Sequence, residues 1–115
     1  MRLADADGDR ALGGRAVTFA GSVAEDAVCR AMMDTAVREF GRLDVLVNNA
    51  GTTRFINFPE LDAVTDEDWN RILGVNLKGP FQCARAARRH LEAHGEGVII
   101  NVASIAGLVG SGSSI

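Results

Sequence analysis

Three groups of residues in this sequence have the types and spacing to do chemistry. The first is Asn48-Asn49-Ala50-Gly51, which follows the apolar run Leu43-Asp44-Val45-Leu46-Val47 without a linker. An apolar run ending in Asn and Gly reads as a strand leaving for a loop, and in a parallel α/β sheet the carboxyl ends of strands face the ligand crevice. Gly51 has no Cβ, so a ligand can approach its backbone closely. The amides of Asn48 and Asn49 both donate and accept, at a place where either a ribose or a neighbouring strand would use them. The second group is Asn76 with Pro80 four residues later. Proline has no amide hydrogen for the Asn76 carbonyl, and a carbonyl freed inside a helix must find another donor, most simply water. The competing expectation is a helix that Pro80 merely kinks, with Asn76 solvated. The third is Ser104, after the apolar run Val98-Ile99-Ile100-Asn101-Val102-Ala103 and before Gly107, Gly110 and Gly112. Its hydroxyl either donates to a substrate carbonyl at the crevice mouth or caps a strand-end turn.

The elements that must hold these groups follow from periodicity. Arg15 to Ala20, between Gly13-Gly14 and Gly21, has the β-prone composition and punctuation of a short strand. From Ala24 to Phe40, Val28, Met32, Ala36 and Phe40 recur at helical spacing, with Glu25 and Asp26 at the start and Gly41 at the stop. Leu43 to Val47 is the second strand. Residues 52 to 64 read as a loop, after which Thr65 and Asp68 form a capping-box pattern. One helix is predicted from Asp66 to about Glu92, burying Trp69, Ile72, Leu73, Phe81, Ala84, Ala87 and Leu91, until Gly95-Glu96-Gly97 breaks it before the strand at Val98 to Val102. Strand, helix, strand, long helix, strand is the order of a parallel sheet with helices on its faces. A non-redox α/β domain would show the same order, so the order alone assigns no chemistry.

Composition narrows the partners. At 115 residues, 47% hydrophobic and 23% charged, the chain has none of the bias that marks disorder. A net charge of −3 argues against nucleic acid or an anionic membrane surface as a main partner. Arg85, Arg88 and Arg89 form the one dense basic cluster, explained by a solvated helix end. Neither a signal-length apolar stretch at the start nor an apolar run of membrane-spanning length occurs, and a cytoplasmic location is expected. Cys29 and Cys83 stand far apart in helical segments and read as packing residues rather than a disulfide or zinc pair. His90 and His94 are four apart on a helix, but no further ligand stands at a completing distance, so no metal site is expected. Gly110-Ser111-Gly112-Ser113-Ser114 has the composition of a mobile tail.

The Asn48-Asn49-Ala50-Gly51 turn, Trp69 with Val75-Asn76, and Asn101-Val102-Ala103-Ser104 together resemble the short-chain dehydrogenase/reductase family, over nearly the whole chain from Leu3 to Ile115. The resemblance implies a partial Rossmann-like doubly wound parallel sheet, a three-layer α/β/α arrangement incomplete at both ends, with residues 1–115 as one partial NAD(P)-binding domain. It implies an oxidoreductase that transfers hydride between a nicotinamide cofactor and a small-molecule alcohol or carbonyl. In such enzymes the residue matching Ser104 holds the carbonyl, and the one matching Asn76 holds a water on its main-chain carbonyl in a proton relay to a lysine and a tyrosine. Asn48, Ala50 and Gly51 match the cofactor-facing turn, Ser22-Val23 stands where Asp-Val usually lies beside the adenine, and Asp5 matches an acidic residue that binds the ribose. A carboxylate there repels a 2′-phosphate, so NAD is favoured with NADP as the alternative; Asp7 is a rival to Asp5.

The sequence also departs from that pattern. It contains no tyrosine, its single lysine is Lys78, and it carries no Gly-rich phosphate turn ahead of a helix amino terminus. On its own the chain is therefore expected to be an inactive fragment. The full form is expected to pair as a homo-oligomer through the helix 66–92, as the family does, and the alternative is a non-catalytic α/β interaction module or a decayed gene product.

Overall fold

The computed structural model describes residues 13–109. Helix α1 spans Asp26–Phe40, with an acidic first turn at Asp26 and a left-handed Gly41 (φ 83°) whose amide closes onto the Val37 carbonyl. Strand β1 spans Val45–Asn48, helix α2 spans Asp66–Leu73, helix α3 spans Gly79–Glu92 and strand β2 spans Val98–Asn101. β1 and β2 pair in parallel, with Val45 opposite Val98 and Asn48 opposite Asn101, and the long α2–α3 crossover between them is what a parallel pair requires.

The core is assembled from one side of this pair. Cys29 and Met33 of α1, Leu46 of β1, and Cys83, Ala86, Ala87 and Leu91 of α3 form a single buried cluster. β1 alternates, Leu46 and Asn48 turning inward while Val45 and Val47 are about half exposed. Small residues let neighbouring segments approach closely, and Gly79 shows how closely the turn ahead of α1 comes to α3. A Cβ there would lie 2.7 Å from the Val23 Cγ2 atom. No helix among the described residues is long and apolar enough to cross a membrane.

Two expectations need correction. No strand is formed at 15–20; the described sheet consists of β1 and β2 alone. β-prone composition specifies an extended segment, but a strand exists only as one side of a ladder. The helix expected from 66 to 92 is interrupted at Gly74–Lys78 by a π turn, in which the Gly79 amide reaches back to the Gly74 carbonyl. Pro80 cannot donate to the carbonyl four residues earlier and its ring would press on it, so the chain widens for one turn just ahead of the proline.

That turn changes the phase of everything after it. A stripe read at constant helical spacing through 66–92 drifts when an extra residue enters one turn. Ala87 and Leu91 are buried as expected, whereas Phe81, just past the turn, is 60% exposed. Gln82, Cys83 and Ala86 take the inward positions instead. Trp69 and Leu73, 58% and 45% exposed, precede the turn, so their exposure is not a matter of its phase.

Candidate functional site

The carboxyl ends of β1 and β2 carry the first residues of interest. Asn48 is buried, and its Nδ2 donates to the Asn101 Oδ1 at 2.8 Å across the strand pair. Its backbone carbonyl accepts from Val102 at 3.0 Å, which extends the ladder toward Ser104. Of the two uses the sequence allowed for this amide, the neighbouring strand takes its donor. Ala50 is half-buried and Gly51 exposed. A Cβ on Gly51 would meet one atom within 4 Å, the Asn76 Oδ1 at 3.9 Å. The turn therefore presents open backbone beside Asn76.

Asn76 lies in the π turn, and its side chain clasps the loop that leaves this turn. Its Oδ1 accepts from the Thr52 amide and its Nδ2 donates to the Thr52 carbonyl, both at 2.8 Å. The expected role of Asn76 was confined to its main-chain carbonyl. The side chain has a separate task, matching both polar groups of one backbone residue, as two strands would match each other. Arg71 adds to the hold, with Nη1 donating to the Thr52 Oγ1 at 2.7 Å and to the Thr53 carbonyl at 3.3 Å.

Beneath this loop sits Asp68, a buried carboxylate with several partners. It accepts from the Thr65 amide at 3.2 Å and the Thr65 hydroxyl at 3.1 Å, while its own amide donates to the Thr65 Oγ1 at 3.3 Å, completing the capping box. It also receives Arg54 Nη1 in a short ion pair and lies 3.5 Å from Arg71 Nη2. Burial works to raise the pKa of this carboxyl; the Thr65 amide and hydroxyl and the Arg54 guanidinium together bring it below its ordinary value. Sequence reasoning found Asp68 as a cap only. Arg54 and Thr52 carry no local pattern, because their partners lie 14 to 24 residues away; Arg71 stands three residues after Asp68, a local ion-pair spacing, but its bond to Thr52 spans 19 residues.

Ser104 ends the segment after β2, exposed, with its Oγ accepting from the Ala106 amide at 3.2 Å. It caps the turn Ile105–Gly107, and a hydroxyl that accepts in this way keeps its own proton to donate. Ser22 is arranged likewise, accepting from Ala24 at 3.3 Å. The Val23 carbonyl receives Gln82 Nε2 at 2.8 Å and the Cys29 thiol at 3.3 Å, so this segment is tied to α1 and α3 rather than to the β1 exit. Asp5 and its rival Asp7 fall outside the described residues. His90 faces Asp34, with 3.4 Å between Nε2 and Oδ1. Among the described residues no group of three or more His, Cys, Asp or Glu is gathered as for a metal ion.

A nicotinamide dinucleotide can be tested against this geometry. The open backbone at Gly51, with nothing but the Asn76 Oδ1 near the place a Cβ would fill, suits a flat group laid against the turn. Ser104, two positions past the end of the ladder, brings a hydroxyl donor to the same edge of the sheet. The residues present therefore fit the nicotinamide end of such a group.

Comparison with known proteins identifies the family. The family model described as "short chain dehydrogenase" matches residues 4–115. The Streptomyces violaceoruber protein named "Granaticin polyketide synthase putative ketoacyl reductase 2" is 53% identical over 93 residues, covering 81% of this chain and 37% of that protein. The Comamonas testosteroni 4-formylbenzenesulfonate dehydrogenase TsaC1/TsaC2 is 44% identical over 95 residues, covering 83% of this chain and 37% of its own length. Among solved structures, a gluconate 5-dehydrogenase from Burkholderia cenocepacia in complex with NADP and tartrate superposes with a TM-score of 0.80 at 38% identity, over 95% of this chain and 42% of that one. The chain spans less than half the length of these relatives.

Proposed function

The chain belongs to the short chain dehydrogenase family, and from that membership we propose that it supplies the nicotinamide-facing part of an oxidoreductase acting on an alcohol or carbonyl substrate. The observation that carries the proposal is the meeting, at one edge of the sheet, of the open Gly51 turn, the Asn76 clasp and the exit to Ser104. When bound, the nicotinamide gives or takes the hydride. The chain's own residues do the rest that can be derived: Asn48, Ala50 and Gly51 form the wall against which the cofactor lies, Ser104 donates its hydroxyl hydrogen to the substrate oxygen, and the main-chain carbonyl of Asn76 orders a water. Pro80 supports that last role by having no amide to offer the carbonyl.

Ser22 and Val23 then flank the adenine, and Asp5 binds the ribose, which favours NAD; the NADP held by the Burkholderia cenocepacia structure keeps the second cofactor in view. No tyrosine is present and Lys78 lies in the π turn. Without a tyrosine acid the chain alone has no turnover, since proton transfer by a placed group contributes about 10²–10⁴-fold. Trp69, Leu73, Leu77 and Phe81, exposed at four-residue spacing along 66–92, support pairing of the full-length form through this face. A cytoplasmic setting and residues 1–115 as one partial domain complete the proposal.

Fluorescence titration of the purified chain with NADH and NADPH tests it, with Gly51→Val as control. The valine enters open space, so the fold is retained while the nucleotide is blocked. Saturable binding that the variant loses supports the reading, and equal binding by both proteins overturns it.

A further inference from the structure

The Asp68 carboxylate does more than close the first turn of α2. A capping box needs the Thr65 amide and hydroxyl, and Asp68 has both. Yet it also gathers two arginines from outside its own turn, Arg54 from the loop and Arg71 from the next turn of the helix. Both guanidiniums are about half exposed, while the carboxylate between them is 8% exposed. Long cationic side chains over a surface ordinarily spread among rotamers and solvent. Here a buried anion fixes one end of each, and a planar fork held at one end has few positions left for its other donors. Those of Arg71 fall on the Thr52 hydroxyl and the Thr53 carbonyl, and Thr52 is the residue whose amide and carbonyl Asn76 holds.

We propose that Asp68 is the positioning residue of this site: through Arg71 and Arg54 it fixes the loop after Gly51, and through Thr52 it sets the side chain of Asn76. The proposal rests on the reading of the Gly51 turn as cofactor-facing for its functional meaning, but the linkage itself exists without nucleotide. Asp68 touches neither cofactor nor substrate in this account. It acts at a distance, through the Arg71 ion pair and the Arg71–Thr52 hydrogen bond, by removing freedom from the backbone that lines the crevice. A cap alone would be indifferent to what Arg71 touches, whereas a hub would transmit the loss of either arginine contact to Thr52.

Hydrogen exchange of the whole 115-residue chain without nucleotide, read residue by residue by NMR, separates the two. The Thr52 amide is the reporter, since its partner is the Asn76 Oδ1. Arg71→Met leaves the capping box intact and removes the link; loss of a charge-assisted bond should speed Thr52 exchange about tenfold while amides of α1 and α3 keep their rates. Asp68→Asn keeps an oxygen for the Thr65 amide and should have the same selective effect. Arg71→Lys retains a donor and a positive charge and should restore most of the protection. Unchanged Thr52 exchange in Arg71→Met overturns the proposal, as does a Lys variant no better than Met. Unchanged Thr52 exchange in a folded Asp68→Asn overturns it too; should that variant unfold the chain, Arg54→Met, which removes Asp68's other arginine, decides, since a hub transmits that loss to Thr52 and a cap does not. Failure of NADH binding with this linkage intact would count against the cofactor reading and not against the hub.

Discussion

The interface between α1 and α3 and the clasp around Thr52 both join stretches of chain far apart in sequence, and they do so with opposite physics. At the interface Cys29 and Met33 meet Cys83, Ala86 and Ala87, all buried, with the two sulfurs 3.6 Å apart. Burial pushes the Cys83 thiol up to about 12, so it stays protonated at any ordinary pH. In the clasp Arg54, Arg71, Thr52 and Asn76 are polar and at least partly exposed, and one buried carboxylate organises them. Apolar burial is non-directional. It can hold two helices together but cannot say where a particular carbonyl points. Hydrogen bonds contribute less stability and more direction, which is what a site needs. The difference predicts that the two regions fail separately: core changes should cost stability everywhere, and clasp changes should cost order in one loop.

The largest expected effect tests the first half of that statement. Leu46→Ala removes the strand's contribution to the core, where Leu46 is 7% exposed, and should lower the unfolding free energy by about 2–5 kcal/mol. Urea denaturation followed by circular dichroism measures it; a loss confined to the Thr52 loop, with the midpoint unchanged, would break the comparison. Gly79→Ala comes next. Alanine favours a helix, but its Cβ would press on Val23, so the net result should be a destabilisation of about 1–3 kcal/mol. Adding Val23→Ala to that variant should recover part of the loss, because the clash is with the Val23 side chain. Thr65→Ala should then cost about 1 kcal/mol, the ordinary value of a lost amino-terminal cap. It sharpens the comparison because the capping box belongs to both regions: the midpoint should fall modestly while Thr52 exchange changes more than that of α1.

Against these two regions, the limits of the sequence become physical. α1 was legible because a periodic apolar face and a stop at Gly41 are local signals, and the order of strands and helices followed from such signals. The Asn48 turn and the Ser104 exit were legible for the same reason, each standing at the end of an apolar run. Three features were not. The strand at 15–20 depended on a ladder partner that composition cannot supply. The inward positions of α3 depend on one inserted residue at Gly74–Lys78, whose cause, Pro80, is visible in the sequence but whose effect on phase is no local signal. The clasp depended on Arg54 and Thr52 being brought by the fold to Asp68 and Arg71, which stand together on one helix. Periodicity reports what is buried; it is silent on which polar atoms will meet.

Acid provides the gentlest way to separate the regions. The Asp68 carboxyl has a folded pKa below its ordinary 3.8, since the bonds from Thr65 and Arg54 outweigh the effect of burial. A group with a depressed folded pKa adds stability that is complete above its unfolded value and disappears as the pH falls through its folded one. The clasp should therefore be intact at every pH above about 4 and loosen only below that. Asp26 and Asp34 are also lowered, by Arg85 with Arg30 and by Arg89, but these pairs are exposed and should contribute little. The Cys83 thiol of the α1–α3 core, pushed up by burial, stays protonated throughout that range. Lowering the pH from 6 through the folded value of Asp68, which lies below 3.8, should thus move the NMR resonances of Thr52 and Arg71 while the helical circular dichroism holds, and adding salt should bring the loop transition to a higher pH by weakening the Arg54–Asp68 attraction. A single transition, with loop resonances and helical signal lost together at one pH and insensitive to salt, would mean that the carboxylate serves the helix alone and that the clasp has no independent existence.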